Sequence, residues 1–260
     1  MGKRYGQHFL RSARVVAGIV AGADPRENEP VLEIGPGEGV LTKRLLERGA
    51  RVTAVEIDPM LCDRLRQLFD GHDRFRLVEG DILQTELAPE ALFGGKEPYA
   101  VIANLPYYLS TPLLFRLIAH RAYHHRLVLM VQKEIADRLI ALPRDGKAYS
   151  ALSVAAHHVF RMERILDVPP EAFRPPPKVD SAVVRFEPRA PILAPDHEKR
   201  FLQYTKTIFM HRRKLMAGSL RRAYPGVWER HAVALEALVG KRRPEALTPQ
   251  EHLEVFRMLE

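Results

Sequence analysis

From Pro30 onward the chain alternates between short apolar runs and stretches of helical spacing, and few folds accept that rhythm. "VLEIG" is apolar. "VLTKRLLERG" has helical spacing and stops at Gly49. "RVTAVEID" is apolar again, and "PMLCDRLRQLF" is helical with Pro59 in its first turn. "FRLVEGD", "AVIANLPY" and "RLVLMVQ" are further apolar runs, separated or followed by the helical "TPLLFRLIAH" and "KEIADRLIAL". Buried strands alternating with helices imply a mostly parallel sheet covered on both faces, hence an α/β fold. "RILDVPPEAF" and "SAVVRFEP" read as two more strands that close the sheet antiparallel.

After Phe186 the character changes. "EPRAPILAPDHEK" is proline-rich and reads as a linker. From Glu198 the pattern is helical and very basic, with "HRRK", "RR" and "KRR". The expected organisation is a first domain over 1–187, a linker over 188–197 and a small all-α domain over 198–260. A net charge of +8 points to polyanions, either nucleic acid or an anionic membrane. No apolar run approaches the roughly 18 residues of a membrane span.

Cys62 is the single cysteine, so no disulfide or cysteine zinc site can form within the chain, which suits a reducing cytoplasm. It lies on the helical "MLCDRL" and is expected to pack. The opening "KRYGQHFLRSARVVAGIVAGADP" mimics a secretory leader. However, Arg11 and Arg14 abut the apolar run, and Val15, Val16, Ile19 and Val20 have the spacing of an amphipathic helix. His124-His125 and His157-His158 lack ligand spacing, and no metal is expected.

The loop "EIGPGEG", Glu33 to Gly39, follows the first strand and opens the first helix. Gly35 and Gly37 permit a tight turn and close approach of a ligand. In open parallel sheets, ligands bind beyond the carboxyl ends of the strands. Glu56 ends the next run, where an acid can accept both hydroxyls of a ribose. This is not the dinucleotide fingerprint: Val40 stands at the third glycine position, and Glu38 would repel a pyrophosphate. A cofactor with a ribose and no phosphate fits better. S-adenosylmethionine, a sulfonium cation, is such a molecule, so the loop favours a methyltransferase over a nicotinamide enzyme. Asp81 of "VEGDIL" is either a helix-capping aspartate or the acceptor for the adenine amine. Its expected place, ending a strand beside the glycine loop's strand, favours the second.

"NLPYYLST" begins at Asn104, at the tip of the fourth run. Taken alone it could be a strand-to-helix turn with two core tyrosines. With a planar base amine as substrate it reads differently. The lone pair of such an amine is delocalised into the ring and attacks poorly. The Asn104 side-chain oxygen and the Leu105 carbonyl can accept its hydrogens and draw it towards tetrahedral geometry. Pro106 stiffens the turn that aims that carbonyl, and Tyr107 offers a ring for a flipped base. No strong base is required, because a methylated amine sheds its proton readily. Positioning and electrostatics carry the rate.

"YGQHFL", "EIGPGEG", "VEID", "EGDIL", "NLPYYLSTP", "VQKEIADRL" and "FRPPPKVDSAVV" stand in the order found in the ribosomal RNA adenine N6,N6-dimethyltransferases. The chain resembles their small-subunit, kasugamycin-sensitivity type from about Lys3 to Met258. That resemblance implies a Rossmann-like S-adenosylmethionine-dependent methyltransferase sheet with an all-α C-terminal domain. It also implies roles. His8 and Leu10 of "GQHFL" touch the cofactor, as do Gly35 and Gly37 of the glycine loop. Glu56 holds the ribose and Asp81 the adenine amine, while Asn104 lies between cofactor and target amine. Tyr107 stacks on the target base, and Phe173 of "FRPPPK" forms the other wall of its pocket.

The implied reaction is dimethylation of two adjacent adenosines in the 3′-terminal hairpin of 16S rRNA, within the assembling small subunit. The expected protein is a cytoplasmic monomer, independent of membrane and metal. "FMHRRKLM" has apolar residues at helical spacing and a basic face, so Arg212, Arg213 and Lys214 are expected to contact RNA phosphates. Two departures stand out: many relatives have Asn in place of His8, and Asn in place of Tyr108. The alternatives are the sister family acting on large-subunit rRNA, against which the C-terminal domain argues, and a factor that kept the fold without the chemistry.

Overall fold

The computed structural model describes residues 8–106 and 109–260, so Tyr107 and Tyr108 lie outside the described residues. Its elements, in chain order, are β1 (Phe9–Leu10), α1 (Ala13–Ala23), β2 (Pro30–Ile34), α2 (Val40–Glu47), β3 (Arg51–Glu56), α3 (Pro59–Leu68), β4 (Phe75–Glu79), α4 (Pro89–Phe93), β5 (Tyr99–Asn104) and α5 (Ser110–Ala119). They continue with β6 (His124–Gln132), α6 (Lys133–Ile140), α7 (Ala151–Val159), β7 (Phe160–Val168), β8 (Phe173–Arg174), β9 (Ser181–Pro188), α8 (Pro195–Phe209), α9 (Met216–Ala223), α10 (Pro225–Val239) and α11 (Pro249–Leu259).

Seven strands form one sheet in the order β4-β3-β2-β5-β6-β9-β7. The β4/β3, β3/β2, β2/β5 and β5/β6 pairs are parallel, and β9 lies antiparallel on β6. Central strands read as unbroken apolar runs because both faces are covered. Val31, Leu32, Ile34, Val101 and Ile102 are all buried. Strand order reverses between β2 and β5: the chain winds outward through β3 and β4, then crosses back to β5 and β6. A crevice opens at such a switch point. β1 and β8 form a separate two-stranded antiparallel ribbon that the sequence pattern did not announce.

The amphipathic reading of the first helix holds. Val15, Val16, Ile19 and Val20 of α1 are buried, and Ser12 caps its N-terminus. α3 likewise begins with Asp58 accepting the Met60 N–H at 3.0 Å and Pro59 in its first turn. Burying an apolar side chain fully contributes about 1.5–3 kcal/mol, so these one-sided helices are held chiefly by the sheet they cover.

The chain divides into two compact units, and not at the single expected boundary. The first runs to Ala136 and resumes over Arg161–Pro188; the second comprises Asp137–Phe160 and Arg189–Glu260. The expected division into 1–187 and 198–260 is therefore corrected. The reason is apolar: Ala141, Tyr149 and Val154 share one buried cluster with Phe201, Tyr204, Trp228 and Phe256. The expected linker over 188–197 is also shorter, since α8 already begins at Pro195. Within the second unit the Tyr149 hydroxyl donates to the Leu247 carbonyl at 2.8 Å. The Tyr204 hydroxyl donates to His252 Nδ1 at 3.1 Å, and His252 Nε2–H donates to the Pro244 carbonyl at 3.0 Å.

Candidate active site

In a parallel sheet the carboxyl ends of the strands share one edge, and register decides which residues meet there. Ile34 pairs with Val55 and with Ala103, so Gly35, Glu56 and Asn104 emerge side by side. A pocket opens at this edge. It is lined by the glycine loop, by Glu56-Ile57, by Gly80 to Ile82 and by Asn104 to Pro106, and it is closed by β1 and Phe173 of β8. Every described residue nominated for cofactor, catalysis or base pocket lies in its wall: His8, Leu10, Gly35, Gly37, Glu56, Asp81, Asn104, Leu105, Pro106 and Phe173. Tyr107, nominated with them, lies outside the described residues.

The loop needs its glycines for two separate reasons. Gly37 has φ +58, and a Cβ there would stand 3.3 Å from the Phe9 ring. Gly39 has φ +80, and a Cβ there would meet the Phe69 ring at 2.9 Å. Positive φ disfavours any side chain, and the close ring contacts add a steric reason.

Glu56 is more than a ribose acceptor. Its Oε1 accepts the Ile57 and Asp58 N–H groups, both at 3.0 Å, and its Oε2 accepts the Gly37 N–H at 3.2 Å. The carboxylate thus ties β3 to the glycine loop and is pre-aimed before any ligand arrives. Burial raises its pKa, while the Asp58, Gly37 and Ile57 N–H groups work against that rise. Behind it, the buried Cys62 donates weakly to the Glu56 carbonyl, and burial pushes its thiol up to about 11. That agrees with a packing role.

Asp81 has the local cap of one reading and a place in the pocket wall that the other requires. Its Oδ1 accepts the Leu83 N–H at 2.9 Å, a local cap, and the residue also lines the pocket. Its expected placement needs one correction: β4 lies beside β3 rather than β2, and it ends at Glu79. Asp81 therefore reaches the pocket along a turn. Arg116 of α5 braces that turn by donating to the Ile82 and Thr85 carbonyls.

Asn104 is held from two sides. The following Leu105 N–H donates to the Met130 carbonyl at 3.0 Å and extends the β5/β6 ladder. The Asn104 Nδ2 donates to the His8 carbonyl at 3.3 Å. This bond orients the amide and leaves Oδ1 without that partner. The His8 side chain turns elsewhere, with Nδ1 donating to the Pro175 carbonyl at 2.8 Å.

Two acids in this wall carried no role in the sequence reading. Glu33 is 1% exposed, and neither carboxylate oxygen has a hydrogen bond of normal geometry among the described residues. Thr42 lies close enough to favour its charged form, but burial dominates and pushes it up to about 7. Glu38 was expected only to repel phosphate. It is flanked by Arg11 at 2.6 Å and Arg64 at 3.2 Å. The signal for Glu33 was present, since an acid inside an apolar strand is costly unless something compensates it. Nothing in the sequence pairs Arg11 or Arg64 with Glu38.

These residues fit S-adenosylmethionine. A braced carboxylate suits a diol, a buried acid with only Thr42 beside it suits a cation, and Ile57 and Ile82 supply apolar wall for a purine ring.

The nominated basic cluster belongs to the second unit, and its expected helix is absent. Residues 210–215 form a turn between α8 and α9. Arg212 bonds Glu245 at 2.9 Å and the Lys147 carbonyl at 3.2 Å, whereas Arg213 and Lys214 are exposed. The four paired histidines are engaged in packing and bonding. His124 meets Tyr99 edge-on, His125 contacts Glu29, His157 faces the Ile140 and Ala141 carbonyls, and His158 lies 3.3 Å from Glu198.

A family model described as "Ribosomal RNA adenine dimethylase" matches residues 1–258. Among curated relatives, the chain is 42% identical to "Ribosomal RNA small subunit methyltransferase A" of Thermosynechococcus vestitus, over 99% of this chain and 97% of that one. It is 40% identical to the protein of the same name from Geobacter metallireducens, over 99% and 94%. Among solved structures, a dimethyladenosine transferase from Plasmodium falciparum superposes with TM-score 0.79 at 24% identity, covering 95% and 96% of the two chains. The likeness to that structure is one of fold. The 23S rRNA methyltransferase ErmE superposes with TM-score 0.73 at 31% identity, covering 96% and 99%.

Proposed function

The chain belongs to the ribosomal RNA adenine dimethylase family, and from that premise we propose that it uses S-adenosyl-L-methionine to dimethylate N6 of two adjacent adenosines in the 3′-terminal hairpin of 16S rRNA. It is an rRNA adenine dimethyltransferase by its relatives; the cofactor, the hairpin and the assembling small subunit are the finer parts of the proposal. Cytoplasmic action as a monomer without a metal belongs to it too. Among the described residues no helix is long and apolar enough to cross a membrane.

The observation that carries the mechanism is the fixed amide of Asn104. With Nδ2 committed to the His8 carbonyl, Oδ1 faces the substrate as an acceptor. Asn104 Oδ1 and the Leu105 carbonyl accept hydrogen bonds from the target amine and free its lone pair from the ring; the methylated amine, formed as an ammonium, sheds its proton to solvent. S-adenosyl-L-methionine, if bound here, would supply an electrophilic methyl group with a neutral thioether as leaving group. Glu56 and Asp81 hold the ribose and adenine ends, Glu33 faces positive charge, and Pro106 and Phe173 wall the base. Aligned attack and developing-charge stabilisation, rather than a strong base, supply the rate.

The presence of a helical C-terminal region does not by itself separate small- from large-subunit targets, because the likeness to ErmE spans 96% of this chain. The higher identity to small-subunit relatives favours the first target. The deciding experiment is methyl transfer from labelled cofactor to unmethylated small subunits, followed by mapping of the modified bases. Label confined to large-subunit rRNA would overturn the proposal.

A further inference from the structure

The catalytic amide takes its orientation from a segment that also carries an exposed ion-pair network. Residues 8–12 form a strap over the pocket. Phe9 pairs with Arg174 and Leu10 with Phe173. The Arg11 and Ser12 N–H groups both donate to the Ala172 carbonyl, at 2.8 and 3.2 Å. The His8 ring donates to the Pro175 carbonyl. These bonds tie the strap to β8, on the base-pocket side. On the cofactor side Phe9 lies over Gly37, and Arg11 reaches Glu38 of the same glycine loop. Glu38 is 12% exposed and is shared with Arg64 of α3 at 3.2 Å, so the three charges link strap, loop and helix.

Building on the proposed reaction, we infer that Arg11, Glu38 and Arg64 are positioning residues. They latch the strap onto the glycine loop and so keep the His8 carbonyl against Asn104 Nδ2. The Arg11–Glu38 contact is an ion pair at 2.6 Å rather than an aligned hydrogen bond. It is therefore tolerant of small shifts, as a closure needs to be. Both arginines are about half exposed, 51% and 52%, so water weakens each pair; sharing Glu38 between two partners is what makes the network worth having. When the strap lifts, Asn104 loses the bond that fixes its amide and can present nitrogen instead of oxygen to the target amine. A loaded site would then hold cofactor and base without aligning them.

The test uses the full chain with Arg11→Gln, Arg11→Lys and Glu38→Gln, each checked for an unchanged melting temperature. Hydrogen exchange of the strap amides is read first, in cofactor-free protein. Arg11→Gln should speed it about tenfold, Glu38→Gln should speed it more, and Arg11→Lys should stay near wild type. Single-turnover methylation of small subunits is read second. Arg11→Gln should lower the rate at saturation about tenfold with KM for the subunit unchanged, and Arg11→Lys should restore it. Unchanged exchange in both Gln variants overturns the latch. So does a raised KM with an unchanged rate, which would make Arg11 an RNA phosphate contact. A wild-type protein inert on small subunits would count against the proposed reaction, while the exchange measurement would still decide the latch.

Discussion

Two buried ionisable groups, one in each unit, are accommodated in opposite ways. In the second unit His252 is fully enclosed, yet both ring nitrogens are hydrogen-bonded, to Tyr204 and to Pro244. In the first unit Glu33 is equally enclosed at the back of the pocket, with Thr42 beside it but no hydrogen bond of normal geometry to its carboxylate. A packed core pairs its polar groups because an unpaired one costs about 1–3 kcal/mol. A binding site keeps some unpaired because a ligand completes them.

The sharpest way to test that contrast is Asn104→Ala. It removes an acceptor that acts where charge develops, so the single-turnover rate should fall on the order of 10²-fold or more while melting stays unchanged. Near wild-type turnover would sink the lone-pair mechanism.

The second test is pH, where Glu33 and His252 should respond with opposite sign. Burial raises Glu33 from 4.5 to about 7, so the folded chain holds a proton that the unfolded chain releases. Its share of stability is present below about pH 4.5 and lost as pH rises through 7. Burial lowers His252 from 6.5 to about 4, so its share is present above pH 6.5 and lost as pH falls towards 4. Each shift amounts to about 3 kcal/mol. Cofactor-free Glu33→Gln should therefore melt above wild type at pH 8, with the gain shrinking towards pH 4.5. A pH-independent difference would mean that Glu33 is compensated in the free protein.

Glu56→Ala comes third. It deprives a ligand diol of its acceptor and also frees the N–H groups of Gly37, Ile57 and Asp58. Calorimetry should show cofactor binding weakened by about 1.5–3 kcal/mol. Unchanged affinity would remove the ribose assignment.

The smallest effects belong to the exposed turn of the second unit. Neutralising Arg213 and Lys214 should flatten the salt dependence of subunit binding, by about 0.7–0.9 in slope for each lost phosphate contact. Arg212→Ala should leave that slope unchanged and lower stability by up to about 1 kcal/mol, because its guanidinium serves Glu245 and the Lys147 carbonyl. A slope that drops only with Arg212 would reverse these roles.

Most of the site was legible in the sequence, for a specific reason. Once strands are parallel, the residues just past their carboxyl ends share one edge of the sheet without any further information. That is why Gly35, Glu56, Asp81 and Asn104 could be named from "EIGPGEG", "VEID", "EGDIL" and "NLPY" alone. Phe173 and His8 came from resemblance, since no strand period leads to a two-residue ribbon such as β1/β8.

What the sequence by itself determined is local: the alternation that makes an α/β sheet, the glycines that only a positive-φ loop requires, and the acid and amide at the tips of β3 and β5. Tertiary structure decided what depends on distant partners. It placed Asp137–Phe160 with the C-terminal helices, turned "FMHRRKLM" into a turn, committed Arg212 to Glu245, and set Arg11 against Glu38. The physical reason is range. Backbone conformation and periodicity are written within a few residues, whereas a side chain's ion pair or apolar neighbour is chosen only when the packed core brings remote segments together.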